Sequence, residues 1–125
     1  MTVTSNKVVI TVEQNGLNIT INGQASCNSG GFVDAHVINV NGYVTYNGQP
    51  LANQTVYVGF CAFYDPTTQS LSGYYTATTD SNGYYAIDNT IVSQTPSGDY
   101  NCLVALTRYN GQVATAKTEV KIPFC

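Results

Sequence analysis

Apolar side chains recur at every second position in short runs broken by Gly, Pro and Asn, and no stretch of ten residues spaces them at i, i+3, i+4 and i+7. A period of two sends successive side chains to opposite faces of a strand, so each run buries one face and needs another run to pack against. The chain is therefore expected to be all-β. At 125 residues it has room for one core and one domain. Ile38, Val40, Gly42, Val44 and Tyr46 alternate with polar residues, and Asn47-Gly48-Gln49-Pro50 turns the chain. Val56, Val58 and Phe60 form the next apolar face, with Tyr57, Cys61 and Phe63 on the opposite one. Further strands are predicted near 73–79, 83–88, 99–109 and 112–122, the last two joined by Asn110-Gly111. Short strands at this spacing describe a Greek-key sandwich and not a parallel sheet.

The first 31 residues stand apart. Val8, Ile10 and Val12 alternate, Asn15-Gly16 supplies a φ > 0 turn, and Leu17, Ile19 and Ile21 alternate back, pairing 12 with 19 and 10 with 21. Residues 22–31 lack alternation and hold three of the eleven glycines, which predicts a connecting loop or hinge. Residues 1–31 are thus read as a strand or hairpin plus a Gly-rich connector, able either to fold back or to serve as a donor segment. Residues 32–125 are the sandwich, and the whole counts as one domain.

Eleven charged side chains and a net charge of −3 leave polarity to 44 Thr, Asn, Ser and Gln residues, a composition common in secreted and surface β proteins. Lys7, Arg108, Lys117 and Lys121 are scattered, so there is no basic patch for phosphates or anionic lipid, and neither nucleic acid nor membrane insertion is expected. Cys27, Cys61, Cys102 and Cys125 are separated by 33, 40 and 22 residues, without a C-x-x-C pair and with only one histidine, His36. That spacing argues against zinc and for two disulfides in an oxidising compartment, buried free thiols being the alternative. Residues 1–7 are polar and the apolar run 8–12 is too short for a secretory h-region, so either a signal has been removed and the numbering restarts, or export uses something not visible here. The sequons at Asn18 and Asn53 would be used only in a host that glycosylates exported chains.

Gly42, Val44, Gly48, Pro50, Leu51, Val56, Val58, Thr78 or Thr79, Asp80, Gly83, Tyr85 and Ile87 follow the order G-x-V, G-x-P-L, V-x-V, T-x-x-D-x-x-G-x-Y-x-I. In this the segment 42–87 resembles the carboxypeptidase regulatory-like and related bacterial immunoglobulin-like modules. The resemblance implies an immunoglobulin-like sandwich in an extracellular or cell-surface setting, and no catalytic residue. It also implies that Cys61 and Cys102 lie on central strands of facing sheets, bridged across the core, leaving Cys27 and Cys125 for each other or for neighbouring subunits.

Catalytic constellations are thin. His36 is the sole imidazole, there is no G-x-S-x-G elbow, and nothing pairs Glu13 or Glu119 with an Asp, so no enzyme and no cofactor are expected. Asp80-Ser81-Asn82-Gly83 resembles the tail of a calcium loop but lacks the acidic residues such a loop requires, and a turn explains it equally. A Lys to Asn isopeptide bond through Lys7, Lys117 or Lys121 would need a buried acid. Tyr74-Tyr75 and Tyr84-Tyr85 must each send one ring outward, where it stacks on a sugar or on a cross-strand neighbour. The expected function is a structural subunit of an extracellular filament or surface assembly. It would polymerise with copies of itself by donating the strand carrying Val8, Ile10 and Val12. The alternative is a monomeric adhesion or carbohydrate-binding module that recognises surface glycans.

Overall fold

The computed structural model describes residues 16–27 and 36–124. They form eleven strands: β1 (Leu17–Ile19), β2 (Asn22–Cys27), β3 (His36–Tyr46), β4 (Gln49–Pro50), β5 (Thr55–Phe60), β6 (Tyr64–Asp65), β7 (Ser70–Leu71), β8 (Tyr75–Thr78), β9 (Tyr84–Ser93), β10 (Tyr100–Tyr109) and β11 (Gln112–Lys121). The fold is all-β, as the alternation predicts.

Two antiparallel sheets carry the architecture. The first is built on β3, which pairs with β1 and β2, with β9, and at its end with β4. The second has the order β11-β10-β5-β8. From the first sheet Ile38, Val40, Val44, Tyr85, Ile87 and Ile91 enter the core, and from the second Val56, Val58, Leu103, Ala105 and Val120 meet them. The two-residue turns Asn47-Gly48 (φ 51° and 80°) and Asn110-Gly111 (φ 51° and 76°) have both residues in the left-handed region. That is the type I′ geometry, whose twist suits a hairpin.

Residues 22–27 are a strand and not the connector expected from their composition. β1 and β2 keep a single register against β3, from Leu17 opposite Tyr46 to Cys27 opposite His36. The alternation here is one of size: a Cβ on Gly23 would come within 2.7 Å of Val120 Cγ2, and Ala25 packs against the core. Small inward residues under a large neighbour leave no hydrophobic period to detect. Leu17 and Ile19 are themselves core residues, so the sandwich takes in residues before 32.

β10 is covered on both faces, since 103–107 are all buried. The excursion between β5 and β8 accounts for this. It starts with a 3-10 turn, Cys61–Phe63, and continues through the small ribbon of β6 and β7. Leu71 and Tyr74 then line one cavity with Tyr57, Leu106 and Arg108 on the outer face of the second sheet. Arg108 Nη2 donates to the Gln69 carbonyl at 2.8 Å, and Tyr74 meets Tyr57 edge to face at 5.0 Å.

Candidate functional site: an open groove at one end of the sandwich

Cys61 and Cys102 form a disulfide with a Cα–Cα distance of 5.3 Å. It joins neighbouring strands of one sheet, which corrects the expected core-crossing bridge between facing sheets. β5 and β10 pair as far as Phe60 opposite Leu103, and the cysteines stand one step beyond that pair in the same register. Neither Cys61 nor Cys102 is fully buried and neither belongs to the core cluster, so the bridge lies outside the core. Cys27, at the end of β2, is also disulfide-bonded, and its Sγ lies 3.8 Å from the Phe124 carbonyl oxygen. Cys125 lies outside the described residues.

Beside the Cys61–Cys102 bridge opens a groove of about 660 Å³, lined by residues 60–63, 92–95, 101 and 102. No charged side chain lines it. Strand lengths create it. β8 pairs only with positions 55–58 of β5, so Gly59 and Phe60 have no strand partner on that side. Opposite them, β9 pairs with β3 alone, and no strand among the described residues covers its other edge. Two apolar side chains stand in the open here, Phe63 at 49% and Val92 at 47% exposure. Ser93 and Asn101 hydrogen-bond across the base of the groove.

The described chain starts at the far end of the sandwich. Gly16 N–H donates to Asn47 Oδ1 at 2.7 Å and Asn47 N–H returns to the Gly16 carbonyl, beside the Asn47-Gly48 turn. The groove lies at the other end of β3, where His36 pairs with Ser93. The ten steps of β3 from His36 to Tyr46 span about 33 Å at 3.3 Å each. Val8, Ile10 and Val12 lie outside the described residues. The other half of their expected hairpin is described, and there Leu17 N–H donates to Gln112 Oε1 at 2.8 Å.

The remaining candidates have structural partners. His36 is buried, and its Nε2 donates to the Pro123 carbonyl at 3.1 Å while Nδ1 has no hydrogen-bond partner. Asp80 Oδ1 accepts from Asn82 N–H at 2.8 Å and Tyr84 N–H at 3.1 Å, the geometry of a turn cap. Among the described residues, no group of three or more His, Cys, Asp or Glu could hold a metal ion. Lys117 and Lys121 are exposed, as are Asn18 and Asn53 of the two sequons. Each tyrosine doublet sends one ring outward. Tyr84 lies tilted against Tyr43 at 5.3 Å and Tyr74 lies edge-on to Tyr57, so cross-strand aromatic contacts take up both rings.

No family model matches the chain, and neither the curated proteins nor the solved structures contain a match. No described helix is long and apolar enough to cross a membrane.

Proposed function

We propose that this chain is a structural subunit of an extracellular filament or surface assembly, joined head to tail by exchange of its N-terminal strand. One observation carries the reading: the apolar groove and the chain's entry into the sandwich lie at opposite ends. Val8 lies eight Cα steps before Gly16, a reach of at most about 28 Å, against about 33 Å along β3 to the groove. Ile10 and Val12 fall shorter still. A chain's own apolar run therefore falls short of its own groove, whereas that of a copy stacked on the groove end meets it directly. Contacts of this heterologous kind do not close on themselves and give open polymers. An unpaired edge next to apolar surface is a hazard for a free monomer, and a strand from a neighbour covers both. The disulfides fit an oxidising compartment outside the cell.

Size-exclusion chromatography and negative-stain microscopy of the full chain, and of a variant lacking residues 1–12, test the proposal. The full chain gives a ladder of oligomers or filaments and the truncated chain a monomer prone to aggregate. A single monomeric peak from the full chain, or polymers from the truncated one, overturns it.

A further inference from the structure

Resting on the strand-exchange reading, we propose that the acceptor is the free edge of β9 together with the groove beneath it. The occupant is residues 8–12 of a second copy, lying parallel to β9. Chemistry and direction lead to this assignment. Residues 8–12 read Val-Val-Ile-Thr-Val and carry no charge, as the groove lining carries none, while the charged Lys7 and Glu13 flank the run at either side. An added strand needs backbone N–H and C=O groups that no other strand uses, and β9 offers them along the edge that no strand among the described residues covers. Alternate side chains of the run, Val8, Ile10 and Val12, then face inward over Phe60, Phe63 and the Cys61–Cys102 bridge, where β8 stops short.

The direction follows from the ends of the molecule. β9 runs from Tyr84, opposite Tyr43 near the chain-entry end, to Ser93 at the groove end. A copy stacked on the groove end presents its own Gly16 there and sends residues 15 back to 1 up into the groove. Read from residue 1 onward, that segment travels the same way as β9.

Two partial variants separate this site from the broader proposal. Val92→Asp in the full chain places a charge in the groove at an exposed position flanked by the inward Ile91 and Ser93, so the variant donates but does not accept. The chain lacking residues 1–12 accepts but does not donate. Each alone is a monomer, V92D unfolds cooperatively at the melting temperature of the truncated monomer, and mixing them yields 1:1 dimers. Should V92D polymerise like the wild type while the truncated chain does not, strand exchange stands and this acceptor site is wrong. Should the wild type be monomeric, or the truncated chain polymerise, the strand-exchange reading itself fails. A photo-crosslinking residue at position 92 of an otherwise wild-type chain gives a check independent of the variant's folding. It couples to a neighbour's residues 8–12, and coupling elsewhere in the neighbour overturns the proposal.

Discussion

The hydroxyl of Tyr85 donates to the carbonyl oxygen of Thr20 at 2.6 Å, a bond across 65 positions of sequence that fixes the first edge of the sandwich. The carbonyl is free to accept it because Tyr43 N–H, its expected ladder partner, bonds to Thr20 Oγ1 at 2.9 Å instead. Gly42 makes room, since a Cβ there would collide with the same carbonyl oxygen and with the Tyr85 ring. Tyr85→Phe leaves a carbonyl without its partner and costs about 1–3 kcal/mol in denaturant unfolding. Gly42→Ala costs more, because it displaces both groups at once.

Burial pushes the Tyr85 phenol above its ordinary value near 10. A folded-state pKa above the unfolded one favours the protonated form in the fold. Its contribution is whole below about pH 10, where both states hold the proton, and shrinks as pH rises above that value. Melting temperature should fall above pH 10 in the wild type and fall less steeply in Tyr85→Phe. Parallel slopes in the two proteins would contradict this.

Replacing Cys61 and Cys102 by Ala opens a loop closed over a separation of 41 residues, worth about 4 kcal/mol in the chain-entropy model. The β5–β10 ladder up to Phe60 does not depend on the bridge, so the expected product is a folded protein with a clearly lowered melting temperature. Peptide mapping without reduction should recover Cys61 joined to Cys102.

Arg108 is an exposed tether for the excursion over the outer face. Arg108→Ala is expected to cost about 1 kcal/mol or less, typical of a surface substitution, yet to speed proteolytic cleavage around residues 64–70 several-fold. Equal cleavage rates would show that the Tyr57–Tyr74 contact holds the segment by itself.

Much of the sandwich was legible because large inward residues mark its strands: Ile38, Val40, Val44, Val56 and Val58 are all fully buried. β2 was illegible because Gly23 and Ala25 do the same work by being small. The pairing of Cys61 with Cys102 is as the family resemblance implied, but its location is not. The sequence alternation that sets Cys61 on the face of Tyr57 turns it away from the core, at odds with a bridge between facing sheets. The groove left no mark in the sequence, because it arises from where β8 ends relative to β5, and strand ends depend on tertiary pairing. Its lining residues, Phe63 and Val92 among them, read as ordinary strand and loop positions.

The continuous register of β1 and β2 along β3 has a mechanical consequence. Opposed forces applied at Gly16 and at Ser93 pull β1 and β2 one way along β3 and pull β9 the other way. The load is then shear, shared at once by the nine paired positions on one side of β3 (three with β1, six with β2) and the seven on the other. Peeling would break such pairs one after another, whereas sliding must break them together, so the sandwich resists tension along its long axis far better than tension across it.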